Sequence, residues 1–112
     1  MSLEALWTVQ FEIPGGNLNG AVVVLKSGRI YGGDSGYYYL GSYTISGDTI
    51  SGDVQATHYH GPGRTAFGDE TASFSVQLSG KVNPDQDHIV GRAIRPRLGQ
   101  VLLKMTKRAP LA

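Results

Sequence analysis

Along this chain, apolar and polar positions alternate with a period of two, and no window of convincing length shows the 3.6-residue period of an amphipathic helix. Ala5 to Ile13 sets Trp7, Val9, Phe11 and Ile13 on one face against Thr8, Gln10 and Glu12 on the other. Gly20 to Lys26 is a continuous β-branched run, and Ser27-Gly28 fits a two-residue hairpin turn back into Arg29-Ile30-Tyr31. Gly32 to Gly36 reads as a tight turn, since glycine weakens either regular element. Tyr37 to Ile45 follows, with Tyr37, Tyr39, Tyr43 and Ile45 on one face and Gly41 between them.

The next strands rest on similar patterns. Thr44-Ile45-Ser46-Gly47-Asp48 is repeated at once as Thr49-Ile50-Ser51-Gly52-Asp53. A five-residue shift reverses strand parity, so a turn between the two copies is needed to bring both isoleucines to one face. Thr49 to His60 makes a long strand, followed by a glycine- and proline-containing loop over 61–70. Ala72, Phe74, Val76, Leu78, Gly80 and Val82 alternate with serines and Gln77, the clearest half-buried pattern in the chain. His88 to Arg95 and Gln100 to Lys107 complete eight strands, the last pair separated by the turn Pro96–Gly99.

Eight sequential strands joined mostly by short turns favour an all-β, antiparallel up-and-down barrel of lipocalin-like form. A two-sheet β-sandwich is the alternative. The strand pattern places one domain over 5–108, with 1–4 and 109–112 as flexible termini. Composition agrees: 40% of residues are hydrophobic and 17% charged, and the 16 glycines lack any collagen-like period. Without cysteine, disulfides, thiol catalysis and thiolate metal sites are excluded. The chain holds no apolar run of membrane-spanning length and no secretory pattern at its start, so no membrane association and a cytoplasmic location are expected.

Charge is uneven although the net value is +1. All nine acids precede residue 88, whereas Arg92, Arg95, Arg97, Lys104, Lys107 and Arg108 follow it with no acid among them. The aromatics cluster before residue 75, away from these cations, which argues against the interleaving that single-stranded nucleic acid requires. Binding of nucleic acid is therefore not expected.

Candidate chemistry is sparse. His58 and His60 share a strand face, but no third ligand has zinc-site spacing, and no metal or cofactor is expected. Gly32 to Gly36 lacks the lysine and following helix of a phosphate loop. The acids sit in turns, no serine occupies a nucleophile elbow, and the protein reads as non-enzymatic with no catalytic residues. If the barrel keeps an internal space, Trp7, Phe11, Tyr37, Tyr39 and Phe74 would line it, with His58 among its few polar groups.

The segment Ile30 to Asp34, Tyr37 to Tyr39, Gly41 and Tyr43 resembles the GrlR family of type III secretion negative regulators, as does the element order over residues 5–107. The resemblance implies a calycin-like barrel, a homodimer, and a regulatory role through binding a transcriptional activator. It also implies that the loop Ser46, Gly47, Asp48 and Thr49 would meet that partner, here with a single acid. Tyr38, of opposite parity to Tyr37 and Tyr39, is the expected interface residue. Two functions thus stand side by side: a regulatory protein-binding barrel with a filled interior, and a carrier or sensor of a small apolar ligand with a cavity of roughly 300 Å³ or more.

Overall fold

The computed structural model describes residues 3–13, 15–61 and 72–111, so the loop expected over 61–70 lies outside the described residues apart from Gly61. Its strands are β1 (Ala5–Ile13), β2 (Gly16–Lys26), β3 (Arg29–Gly33), β4 (Tyr37–Ser46), β5 (Thr49–His58), β6 (Ser73–Val82), β7 (His88–Arg95) and β8 (Gly99–Pro110). Each pairs antiparallel with the next, and β8 pairs with β1, giving a closed up-and-down barrel rather than a sandwich. Closure leaves no edge strand free to recruit another chain. The described residues contain no helix, hence none long and apolar enough to cross a membrane.

Turn chemistry fixes the register. Ser27 and Gly28 both take positive φ (52° and 75°), the requirement of a type I′ hairpin between β2 and β3. Gly47, at φ 61°, opens the two-residue turn between Ser46 and Thr49, as a type II′ turn demands. That turn sets Ile45 opposite Ile50, so the repeated pentapeptide folds back on itself with both isoleucines on one face. Pro96 then precedes Arg97 at φ 73° in a type II turn closed by the Leu98 amide donating to the Arg95 carbonyl.

Three expectations need correction. β5 ends at His58, so His60 lies beyond the strand and does not share a strand face with His58. Gly32 and Gly33 belong to β3, not to the following turn, and pair with Tyr39 and Tyr38. Both ends also extend the domain beyond 5–108. Leu3 is 1% exposed within the core, and β8 runs on to Pro110, opposite Ala5. Burial of apolar surface at Leu3 and the β1–β8 ladder hold these segments in place.

The strands alternate between the two surfaces of the barrel wall, and the interior has two unlike ends. Trp7, Leu3, Ile50 and Ile89 are fully buried near the chain termini, where Tyr43 and Val82 join them, and the buried Leu25, Ile30 and Met105 lie between this packing and the cavity that they line. Each fully buried side chain of this size contributes about 1.5–3 kcal/mol. The Trp7 indole Nε1 donates to the Leu3 carbonyl at 3.0 Å, so its polar atom is satisfied inside the core. The Glu4 carboxylate accepts from the Ser27 amide at 2.6 Å, tying the N-terminal segment to the β2–β3 turn. The opposite end carries the β1–β2, β3–β4, β5–β6 and β7–β8 connections and holds the candidate site.

Candidate functional site

At that end the barrel holds a half-open cavity of about 200 Å³. Its walls come from positions on all eight strands and are mostly apolar: Val9, Phe11, Val23, Val54, Val76, Leu78, Leu103 and Met105 among them. Ala56 and Ala93 lie on the same wall, where larger side chains would close the space. The interior is therefore neither filled throughout nor as roomy as the 300 Å³ expected of a ligand carrier.

Of the six aromatic and histidine positions singled out by parity, Phe11, Tyr37, Tyr39 and Phe74 line this cavity. Trp7 and His58 do not. Trp7 faces inward too, but it lies toward the other end, at 0% exposure beneath Lys107, whose Nζ is 5.5 Å from the ring centre. Parity distinguishes inside from outside, yet it carries no information about height along the barrel axis. His58 lies at the rim, its ring 5.3 Å from that of Tyr37. Its Nε2 sits 3.0 Å from the His60 carbonyl oxygen and 2.7 Å from that of Gly61, so backbone acceptors occupy it. Among the described residues, no three His, Asp or Glu side chains converge as a metal site would require.

The mouth is built around Asp34, which the sequence reading did not single out. One carboxylate oxygen, Oδ1, accepts from the Gly36 and Tyr37 amides, both at 2.8 Å. The other, Oδ2, accepts from the Tyr39 hydroxyl. The Asp34 amide donates to the Tyr37 carbonyl at 2.8 Å, and Tyr59 ties the turn down from β5's end. Its hydroxyl donates to the Asp34 carbonyl at 2.7 Å, and its amide donates to the Gly36 carbonyl at 2.9 Å. Three donors thus converge on one carboxyl group. Burial, then the hydrogen bond to Asp34 and that residue's charge, push the Tyr39 phenol well above its ordinary pKa. Tyr39 thus remains a donor throughout the physiological range. The sequence offers only a partial signal for this cluster, an aspartate opening a glycine-containing turn three and five residues before inward tyrosines.

Aromatic geometry shapes the cavity wall beside it. The Tyr37 and Phe74 rings meet nearly edge to face, with centres 5.6 Å apart and planes at 68°. The Arg95 guanidinium carbon lies 4.5 Å from the centre of the Phe74 ring, so a cation covers the ring.

The predicted partner loop has a different character. Gly47 and Asp48 form the tip of a tight hairpin at the packed end of the barrel, remote in the chain order of loops from the cavity mouth. Lys81 Nζ binds Asp48 at 3.2 Å and Thr49 Oγ1 at 3.0 Å, and the Asp48 carbonyl accepts from the Val82 amide at 2.8 Å. The hydrogen bond and charge of Lys81 hold the Asp48 carboxyl below its ordinary pKa. A scan against protein-family models gives no match to this chain, and a search of curated proteins gives none either.

Proposed function

We propose that this barrel binds a small, largely apolar molecule in its half-open cavity, as a carrier or a sensor. The observation that carries this reading is the contrast inside one barrel. One end is packed with fully buried side chains, whereas the other keeps about 200 Å³ walled by apolar and aromatic groups. A dry apolar cavity of about 150 Å³ already admits benzene, so this volume suits a single ring or a short branched hydrocarbon. The polar cluster at the mouth gives such a ligand a direction, as a few placed polar groups do in ligand pockets generally.

The test is a titration with ethylbenzene, followed by NMR shifts of residues around the cavity. Saturable shifts at Phe11, Tyr37, Tyr39, Phe74 and Met105 are expected. Ala93→Leu or Ala56→Leu, each filling the cavity from a different strand, should abolish them. Absence of saturable shifts in the unsubstituted protein would overturn the proposal.

A second reading, the regulatory protein-binding role implied by the resemblance to the GrlR family, is favoured by the outer wall. Val24, Tyr31 and Leu40 stand side by side across β2, β3 and β4, with Val22 and Tyr38 on the neighbouring rows. Tyr31, Tyr38 and Leu40 are 48%, 43% and 51% exposed, an apolar strip of the kind that marks contact surfaces. This strip, rather than the Lys81-bound Asp48 hairpin, is where a homodimer or a protein partner would dock. Sedimentation of the protein and of Leu40→Glu tests it: a dimer at tens of micromolar that dissociates on substitution supports the reading, and a monomer removes the homodimer.

A further inference from the structure

We infer that the ligand is a small primary amine, its hydrocarbon body in the cavity and its ammonium group at the Asp34–Tyr39 pair. The inference rests on the cavity-binding reading above and adds the chemistry of the head group. Among the described residues lining the cavity, Asp34 is the one that carries charge, and that charge is negative.

The count of acceptor sites directs the choice. A carboxylate offers about four lone-pair positions. The Gly36 and Tyr37 amides take two at Oδ1, and the Tyr39 hydroxyl takes one at Oδ2. One acceptor position therefore remains at Oδ2. Tyr39 lines the cavity and has committed its only proton to Asp34, which leaves its oxygen as an acceptor as well. An incoming head group thus meets two adjacent acceptors and one negative charge. An ammonium carries three donors and a positive charge, and can satisfy both acceptors at once. A hydroxyl supplies one donor and no charge. A carboxylate supplies neither and brings like charges together, which costs a great deal at a partly desolvated site.

The surroundings fit the same head group. Asp34 is half-buried at the mouth, so the ammonium need not be carried into the apolar interior, where an ion would be heavily penalised. Of the two rings that flank the cavity, Tyr37 and Phe74, the latter already carries the Arg95 guanidinium, so the head group is held by the Asp34–Tyr39 acceptors and not over that ring. Tyr59 anchors the Asp34 turn through two backbone contacts, so the acceptors are positioned before a ligand arrives.

Four single-ring probes of similar size separate this inference from the reading beneath it: 2-phenylethylamine, 2-phenylethanol, 3-phenylpropanoate and ethylbenzene. Titration of each at pH 7, followed by NMR shifts, should rank the amine first and the carboxylate last, with at least about a tenfold gap in Kd between them. Asp34→Asn should bring the amine down to the level of the alcohol. Tyr39→Phe, which leaves the Asp34 charge in place, should keep the order with a smaller gap and serves where Asp34→Asn fails to fold. If ethylbenzene binds but the amine shows no advantage over the carboxylate, the head-group inference is wrong and the cavity reading stands. If none of the four binds, both fall.

Discussion

The end of the barrel that carries the chain termini and the end that carries the Asp34 turn are made by the same eight strands, yet their interiors differ in kind. At the first end, Trp7, Ile50 and Ile89 are 0% exposed within one buried cluster, and Leu3 belongs to the same cluster. At the second, Ala56 and Ala93 line the cavity where bulk is missing, and the buried Tyr37 and the half-buried Phe11, Tyr39 and Phe74 surround the space that results. The lesson is a division of labour along the barrel axis. Stability is concentrated where side chains fill the lumen, which releases the other end to hold an empty volume and a polar mouth.

Substitutions that remove bulk should expose this contrast most sharply. Trp7→Ala deletes a fully buried indole and leaves the Leu3 carbonyl without its donor. A loss of about 3–5 kcal/mol is expected, a large share of the 5–15 kcal/mol typical of a domain this size. Phe74→Ala, at the edge of a cavity already open, should cost about 1 kcal/mol in the same urea titration. Equal losses at the two positions would break the comparison. Next in size is Gly91→Ala, where an added Cβ would lie 2.1 Å from the Ser79 carbonyl oxygen and 2.6 Å from the Gly80 Cα. Backbone on both sides cannot yield, so at least about 3 kcal/mol is expected. Gly47→Ala meets open space and suffers only the cost of positive φ, about 1 kcal/mol.

How much of this was legible beforehand follows from what alternation encodes. The eight strands and the barrel were readable, because the period of two assigns each side chain to one surface and short turns leave few topologies. The Thr-Ile-Ser-Gly-Asp duplication even specified its own hairpin, and the structure pairs Ile45 with Ile50 as that parity requires. Strand ends were less legible: Gly32 and Gly33 look like turn residues, yet an added Cβ on Gly32 would fall 2.1 Å from the Val22 carbonyl oxygen, so strand packing needs a glycine there. The cavity was half legible. Phe11, Tyr37, Tyr39 and Phe74 share the inward parity, but so does Trp7, and nothing local tells how far along the axis each one sits. Asp34 was hidden for another reason, since its role depends on a tertiary contact with Tyr39 and Tyr59 that the turn alone does not announce.

The mouth should also announce itself in alkaline solution. Tyr39 has its phenol held well above the ordinary value by burial first and by Asp34 second. In the unfolded chain a tyrosine ionises near pH 10. Above that pH the unfolded chain has lost a proton that the folded protein keeps, so stability declines as pH rises further. Chemical denaturation between pH 8 and 11 should show this decline, and Tyr39→Phe should flatten it. Tyr43 at the packed end is shifted the same way by burial, so a residual slope is expected in the variant. A slope unchanged by Tyr39→Phe would show that the Asp34 pair does not hold the proton as the geometry indicates.

The smallest effect belongs to the Asp48 hairpin, and its smallness is itself informative. Lys81 and Asp48 are 70% and 68% exposed, so water and salt screen their attraction, although the geometry is good at 3.2 Å. Lys81 holds the Asp48 carboxyl below its ordinary pKa, first through its hydrogen bond and then through its charge. The stability so gained is present above the unfolded carboxyl pKa and lost as pH falls through the folded one. Asp48→Asn should therefore lower Tm only slightly at pH 7, because the pair is screened, and the difference from the unsubstituted protein should close as pH falls through the carboxyl range. Register at this end is set by the Gly47 turn and the Ile45–Ile50 pair, which the substitution does not touch. A large drop in Tm for Asp48→Asn would mean that the packed end depends on its surface ion pair, and the assignment of stability to the filled lumen would have to be given up.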